Sequence, residues 1–325
     1  MKLLTDRWGR RVTRLRLAVS DQCNLRCVYC HPRPSVSTGR EALTADEIAA
    51  VAEAAVFCGI ESIRFTGGEP LLREDLLDIV ARVSRLSPDL DLALTTNGTL
   101  LPGLAGPLAG AGLKRVNVSL DSLREDRFRA LTGGGSLGST LAGLEAARRA
   151  GLRPVKINTV VMRGANDEEV LEIVEFAAAE GYHARFIEFM PLDGEGRWDR
   201  EAMAPVAEIR ARLEEKYDLV PLPENSSPGE EYALPALGSR ISLIGAISRP
   251  FCHRCNRLRV TADGWLRPCL FSREEHELRP ALADHSPTEA VAAALAAAAA
   301  AKPAGHRVGQ ADFRRPARPM VAIGG

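Results

Sequence analysis

The sequence has 325 residues, and its 42 Lys and Arg residues balance its 42 Asp and Glu residues. A chain of this length can bury the core of one large α/β domain and a smaller unit. Its neutral balance lacks the basic excess of a general nucleic-acid or membrane-surface binder. Charges interrupt the first residues, so we expect no signal peptide, and the apolar run at 290–301 is too short to span a membrane. These features predict a cytoplasmic protein with neither nucleic acid nor membrane as partner.

Strand and helix patterns alternate over the first two thirds of the chain. The predicted strands cover residues 15–20, 62–65, 92–95, 116–119, 155–161 and 184–189. A capping box at Thr44 to Glu47 opens the first helix, Gly59 ends it, and Asn166 to Glu169 cap a later helix. Because strand–helix units recur about every 30 residues, we predict a parallel sheet. A partial (β/α)6 barrel and a doubly wound sheet both fit this pattern.

The loop after the first predicted strand holds three cysteines. They are Cys23, Cys27 and Cys30, spaced C-x3-C-x2-C. A structural zinc site needs four ligands, as does an iron–sulfur cubane. Three thiolates on a cubane leave one iron open for a ligand, so the spacing favours a reactive centre. The alternative is a zinc knuckle that His31 completes.

A second set of three cysteines lies far along the chain. They are Cys252, Cys255 and Cys269, spaced C-x2-C-x13-C. Zinc completed by His253 or His276 is the alternative to a second cluster. In a cytoplasmic chain, cysteines are metal ligands more often than disulfide partners. The seventh cysteine, Cys58, falls on an apolar helix face and is predicted to be a buried, inert thiol.

Polar and small residues follow the other predicted strands, and cations interrupt several strand interiors. The loop at Thr66 to Pro70 reads Thr-Gly-Gly-Glu-Pro, with paired glycines that let a ligand approach the backbone. In a parallel barrel the strand ends share one face, where sites form. The cations are Arg16, Arg64 and Lys156, with Arg185 at the start of the sixth strand. Either buried carboxylates pair with them or they converge on an anion such as a triphosphate.

These motifs together resemble the radical S-adenosylmethionine superfamily. The second cysteine set with Arg257 and Arg259, and the final Gly324-Gly325, are similar to its GTP 3′,8-cyclase family, which acts in molybdenum cofactor biosynthesis. The resemblance covers nearly the whole chain and selects the partial (β/α)6 barrel. It implies a barrel over residues 1–222, and a smaller C-terminal domain over 223–325 with a second iron–sulfur cluster and a Gly-Gly tail.

The resemblance also implies roles for matching residues. One 4Fe–4S cluster would bind Cys23, Cys27 and Cys30, and a second would bind Cys252, Cys255 and Cys269. S-adenosylmethionine would contact Tyr29, Gly68, Ser119 and Met190. GTP would contact Arg16, Arg64, Thr95, Lys156, Arg257 and Arg259. Catalysis would involve Arg257, Arg259, Gly324 and Gly325.

In the reaction that the resemblance implies, a 5′-deoxyadenosyl radical takes the C3′ hydrogen of GTP, and the resulting C3′ radical attacks C8 of the guanine. A further electron and a proton then complete 3′,8-cyclo-7,8-dihydro-GTP. The next enzyme is a cyclic pyranopterin monophosphate synthase; the electron donor is unspecified, and a homodimer is suggested. The chain departs from the family at Ser62, where relatives often have Lys, and in the short Pro/Ser-rich segment from His31 to Arg40. Two alternatives are a peptide-modifying radical enzyme with an auxiliary cluster, and a metal-binding adaptor or electron carrier.

Overall fold

The computed structural model describes residues 3–31, 40–224 and 227–325. The interior of the Pro/Ser-rich segment at 32–39, and residues 225–226 of the turn-rich stretch before the C-terminal strands, lie outside the described residues. The strands are β1 (Arg14–Ser20), β2 (Ser62–Gly67), β3 (Asp91–Thr96), β4 (Arg115–Ser119), β5 (Val155–Val161), β6 (His183–Glu188), β7 (Val220–Pro221), β8 (Glu230–Leu234), β9 (Ser239–Ile244), β10 (Arg257–Val260), β11 (Trp265–Arg267) and β12 (His276–Glu277). The helices are α1 (Ala45–Phe57), α2 (Leu76–Ser84), α3 (Leu101–Gly110), α4 (Glu125–Thr132), α5 (Leu137–Arg149), α6 (Val170–Ala179), α7 (Val206–Glu214), α8 (Arg279–Leu282), α9 (Pro287–Ala300) and α10 (Met320–Ile323).

Strands β1 to β6 lie side by side in chain order, and every neighbouring pair is parallel. Helical segments connect them, so the predicted α/β fold with a parallel sheet is confirmed. Along β1, Leu15, Leu17 and Val19 pack into the hydrophobic core, whereas Arg16 lines an internal cavity. Because neighbouring residues of a strand point to opposite faces, one face of the sheet packs on helices while the other carries the cations.

C-terminal strands extend both edges of this six-stranded unit. Strand β10 pairs in parallel with β1, which brings Arg257 opposite Arg14 and Arg259 opposite Arg16. At the other edge, β9 pairs in parallel with β6. The outermost strands add on in antiparallel fashion. The pairing at the two edges was not predicted, and the proposed boundary at residue 222 remains a prediction.

Local signals in the sequence are confirmed at α1 and wrong at Asn166. Thr44 and Glu47 form the predicted capping box, and Cys58 is buried behind α1 with 2% of its surface exposed. The side chain of Asn166 does not cap a helix. Its amide donates to the carbonyls of Asp121 (2.7 Å) and Val160 (2.9 Å), because these lie at the ends of β4 and β5 and leave acceptors free. None of the described helices has both the length and the apolar composition to cross a bilayer.

Candidate active site

One cavity lies at the C-terminal ends of β1 to β6, and it gathers most of the predicted site residues. Its walls include both cysteine sets and also Arg16, Tyr29, Gly68, Thr95, Ser119, Met190, Arg257, Arg259 and Gly325. Arg64 and Lys156 line an adjoining cavity, which shares Arg16, Arg185 and Arg257 with the first. Gly324 reaches the site through its carbonyl, as described below. The structure therefore brings together residues that are up to about 300 positions apart in the sequence.

The first cysteine loop, residues 21–31, is fixed by backbone hydrogen bonds to the end of α4. The amide of Arg26 donates to the carbonyl of Thr132 (2.8 Å), and that of Val28 donates to Leu131 (2.9 Å). Burial, and then the neighbouring thiol and carboxyl groups, raise the pKa of Cys30, and burial also raises the pKa of Cys27. A positively charged metal centre offsets such a penalty by stabilising the thiolates, so this loop suits a metal group better than free thiols.

Tyr29 and Asp121 link the cysteine loop to the barrel. The Tyr29 hydroxyl donates to Oδ2 of Asp121 (2.6 Å), and Oδ1 of Asp121 accepts from the amide of Val160 (2.9 Å). Burial raises the pKa of Asp121 to about 6, while these hydrogen bonds favour its charged form. The pair holds the tyrosine ring against the cavity wall beside the thiols.

Gly67 and Gly68 give the cysteine loop room to pack. A Cβ atom at Gly67 would overlap the carbonyl of Ser20, and one at Gly68 would overlap that of Gln22. The Gly68 amide donates to Ser20 (2.8 Å), so the close approach that the glycines permit includes the backbone of the loop itself. Sequence reasoning considered only the approach of a ligand.

Glu69 is fully buried and supports the same corner. It accepts hydrogen bonds from the amides of Leu71 (3.0 Å) and Asn97 (2.7 Å) and from the hydroxyl of Thr96 (2.7 Å). Burial raises the pKa of Glu69 to about 7, and the three donors act in the opposite direction. Glu69 belongs to the Thr66 to Pro70 motif, but the sequence alone assigns it no role. A carboxylate immediately after the glycine pair was the available signal.

The second cysteine set lines the same cavity as the first. Cys252 begins a short turn in which the Cys255 amide donates to its carbonyl (3.2 Å), and Cys269 follows β11. Among the described residues, no group of three or more His, Cys, Asp or Glu side chains has the geometry to hold a metal ion. Three thiols on one wall still fit a larger group in which each iron takes one thiolate.

The adjoining cavity is strongly cationic. Its described lining includes the cations Arg14, Arg16, Arg64, Arg115, Lys156, Arg185 and Arg257, with Glu231 as the carboxylate among them. Burial and then Arg185 lower the pKa of Lys156 to about 7, and burial and then Arg257 lower that of Arg185 to about 10. Clustered cations that depress one another's pKa values favour an anionic ligand with several charges. Arg185 was noticed in the sequence but not assigned a role, and Arg14 and Arg115 were missed.

Ser62, the position that departs from the family pattern, also borders this cavity. Its hydroxyl donates to Oδ2 of Asp91 (2.8 Å), and Arg115 pairs with the same carboxylate and contacts Ser62 (3.4 Å). Arg115 of β4 therefore places a positive charge beside Ser62, the position where relatives often have Lys. Only the tertiary structure shows this neighbour, because Arg115 is 53 residues away in the chain.

The C-terminal tail enters the barrel. Arg259 donates to the carbonyl of Gly324 (2.8 Å), and the Thr66 hydroxyl donates to the terminal carboxylate of Gly325 (2.7 Å). Gly324 has a φ of 84°, and a Cβ atom there would lie 3.0 Å from side-chain carbons of Ala18 and Thr66. The position therefore favours glycine both for its backbone conformation and for its close packing.

Comparison with known proteins agrees with this geometry. The profile of the radical SAM superfamily matches residues 17–177, and the profile described as Molybdenum Cofactor Synthesis C matches residues 182–308. The chain is 44% identical to a GTP 3′,8-cyclase of Streptomyces coelicolor over 99% of its own length and 96% of the relative. The chain belongs to the GTP 3′,8-cyclase family. A GTP 3′,8-cyclase of Pelotomaculum thermopropionicum is 42% identical over 99% of this chain and 100% of that protein.

The fold is also found in solved structures. The crystal structure of SuiB from Streptococcus suis matches with a TM-score of 0.61 at 15% identity, covering 81% of this chain and 62% of that one. This likeness concerns the fold alone. The family assignment and the predicted partial barrel with a C-terminal Molybdenum Cofactor Synthesis C region are confirmed.

Proposed function

We propose that this chain is a GTP 3′,8-cyclase that carries out the first step of molybdenum cofactor biosynthesis. The observation that carries the proposal is that two cysteine sets face one cavity, next to a second cavity lined with cations. A radical precursor and a nucleotide can then bind in a fixed relative position and orientation. Holding two reactants in this way accounts for a large part of enzymatic catalysis. The product would pass to a cyclic pyranopterin monophosphate synthase.

The first cysteine set would hold a 4Fe–4S cluster, and S-adenosylmethionine would bind beside it. Bound together, and supplied with one electron by a reductant, they would provide a 5′-deoxyadenosyl radical for taking the C3′ hydrogen of GTP. Tyr29, Gly68, Ser119 and Met190, which border the same cavity, would contact S-adenosylmethionine. Their part is to orient the cofactor toward the substrate and to keep water away from a reactive species.

The second cysteine set would hold another 4Fe–4S cluster with an open iron for the guanine base. Arg257 lies beside this set, and its guanidinium stands 5.1 Å from the ring centroid of Phe251. That contact fixes the arginine on the wall between the two cavities. Arg257 would therefore orient GTP between the base and the phosphates.

The triphosphate would bind in the cationic cavity. Arg16, Arg64 and Lys156 project into it from the strand faces, and bidentate guanidinium–phosphate contacts would fix the position of the ribose. Thr95 accepts a hydrogen bond from Arg64 (3.4 Å), so it orients that guanidinium. Arg259 and the Gly324-Gly325 tail would close the region around the reacting carbons.

Anaerobic turnover with GTP, S-adenosylmethionine and a reductant tests the proposal. Mass spectrometry should detect 5′-deoxyadenosine and 3′,8-cyclo-7,8-dihydro-GTP in equal amounts, and the brown protein should contain about eight irons per chain. Release of 5′-deoxyadenosine without cyclised GTP would reject the substrate but retain the superfamily chemistry. Stoichiometric zinc without iron would support an adaptor instead.

A further inference from the structure

Lys302 is a buried cation beside the second cysteine set. It follows α9, and 2% of its surface is exposed. Its ammonium donates to the carbonyls of Arg257 (2.7 Å) and Pro268 (2.9 Å) and lies 3.8 Å from Sγ of Cys255. Among the described residues, no carboxylate lies within ion-pair distance of it. Burying an ammonium is costly, and here two backbone carbonyls and the sulfur of Cys255 offset that cost.

The acceptors of Lys302 belong to the two chain segments that carry the cysteines. Arg257 is two residues after Cys255, and Pro268 immediately precedes Cys269. One ammonium therefore ties both segments together. An apolar residue of the same length could fill the space, but it could not make these contacts.

A second layer of contacts fixes Lys302 itself. The indole of Trp8 donates to the Lys302 carbonyl (3.1 Å). Arg10 donates to the carbonyls of Pro303 (2.6 Å) and Cys252 (2.5 Å), and it forms an ion pair with buried Asp6. The N-terminal segment thus holds the turn after α9 against the cysteine set. A lysine at a flexible surface position would lack this support.

The local charge distinguishes the two cysteine sets. The ammonium of Lys302 lies 3.8 Å from Sγ of Cys255, and Arg257 and Arg259 line the cavity beside the second set. At the first set, the carboxylate of Asp121 accepts a hydrogen bond from Tyr29 (2.6 Å), which lies between Cys27 and Cys30 in the sequence. A nearby cation stabilises added electron density on a thiolate-bound group, whereas a nearby carboxylate opposes it.

We propose that Lys302 is a positioning residue for the second cysteine set: it holds the segments of Cys255 and Cys269 in register, and its charge raises the reduction potential of the cluster bound there. The inference rests on the second cluster of the proposed function. It gives a residue outside the cavity wall a role in setting the reduction potential of the cluster that would bind the substrate.

The test uses full-length protein in which Cys23, Cys27 and Cys30 are replaced by alanine, so that only the second set can hold iron. Lys302→Met removes the charge and the donors, Lys302→Gln keeps donors without charge, and Lys302→Arg keeps charge. Potentiometric EPR spectroscopy measures the midpoint potential, and a chelator challenge measures the rate of iron loss. Lys216→Met, at an exposed lysine that pairs with Glu175, is the matched control.

We expect Lys302→Met to lose iron faster than the parent protein, because removing an outer contact to a metal ligand usually lowers metal affinity about ten- to a hundredfold. Its midpoint potential should fall, Lys302→Gln should share the lower potential, and Lys302→Arg and Lys216→Met should stay near the parent protein. If Lys302→Met does not fold, the midpoint potential of Lys302→Gln tests the proposal in its place. Unchanged potential and iron loss in the neutral variants would overturn the role of Lys302. A parent protein that binds no iron would instead overturn the second cluster, and this inference with it.

Discussion

Lys156 shows how one residue can report on the cationic cavity. Burial and then Arg185 lower its pKa to about 7 in the free protein. An anion in the cavity favours the charged form, so binding should raise that pKa and take up a proton at or above pH 7. Below the pKa of the free protein, Lys156 is already charged and contributes its full attraction to GTP binding. As the pH rises above that pKa, this attraction is progressively lost.

We therefore predict that GTP binding weakens between pH 7 and 8.5, by at most about tenfold per pH unit. Calorimetry at several pH values, in buffers of different ionisation enthalpy, measures both the affinity and the proton uptake. The triphosphate of GTP also loses a proton over part of this range, but that change affects the parent protein and every variant equally. Lys156→Arg keeps its charge and should lose the pH dependence. Equal slopes for Lys156→Arg and the parent protein would exclude Lys156 as the titrating group.

Gly68 offers a second test at the scale of one residue. Because an added Cβ atom would overlap the Gln22 carbonyl, Gly68→Ala should displace the first cysteine loop. We predict a drop from about eight to about four irons per chain, with the second cluster retained. Gly103→Ala is the control: Gly103 is exposed in α3 with open space around it, so alanine there should stabilise the helix by up to ~1 kcal/mol. Full iron content in Gly68→Ala would show that the loop tolerates the methyl group.

At the scale of elements, the sequence predicted local structure well but gave no prediction of the pairing at the two edges of the sheet. The strand positions and the capping box at Thr44 follow from periodicity and side-chain chemistry within a few residues of each other, so a sequence can show them. The same holds for the cysteine spacings. The pairing of β10 with β1 joins residues about 240 positions apart, and no local pattern encodes that choice of edge. Arg115 was missed as a cavity residue, and the cap at Asn166 was wrong, for the same reason: their partners are set by tertiary structure.

The tail preceding the C-terminus is held by an ion-pair network. Arg318, just before α10, pairs with Asp263 (2.9 Å) and Glu275 (3.0 Å), and Arg267 also pairs with Glu275. Because Arg318 and Asp263 are mostly shielded from solvent, their attraction is screened less than that of a surface pair. This network fixes the direction in which α10 and the two glycines enter the barrel.

We predict that removing Gly324 and Gly325 abolishes cyclisation and leaves the iron content unchanged, because their carbonyls accept hydrogen bonds from Arg259 and Thr66 and not from a cysteine. Arg318→Met should reduce turnover at least about tenfold by loosening the tail, since small displacements of reacting groups are costly. Hydrogen exchange of residues 319–325 measures the loosening directly. Arg307→Met is the control, as Arg307 forms an exposed pair with Asp312. Normal turnover by the truncated protein would mean that the tail is only a terminus.

At the scale of the whole molecule, the C-terminal part completes the sheet on two sides. Without β9 and β10, both β1 and β6 would present free edges, which are sites of aggregation in a parallel sheet. Helix α9 also packs against α1, burying Val291 and Leu295, so the alanine-rich helix is a structural cover for the barrel and not only a surface element. The barrel and the C-terminal region therefore share one core.

We predict that a fragment of residues 1–222 will not fold by itself, although the sequence predicts a domain boundary at residue 222. Exposed edges and the uncovered face of α1 should make it aggregate, and the full chain should unfold in a single cooperative transition. Size-exclusion chromatography and thermal unfolding measured by circular dichroism test both statements. A fragment of residues 1–323, which keeps every strand, is the matched control and should unfold like the full chain. A monomeric 1–222 fragment with its own cooperative transition would show that the barrel is stable alone, and that the C-terminal strands add the second cysteine set to a domain already complete.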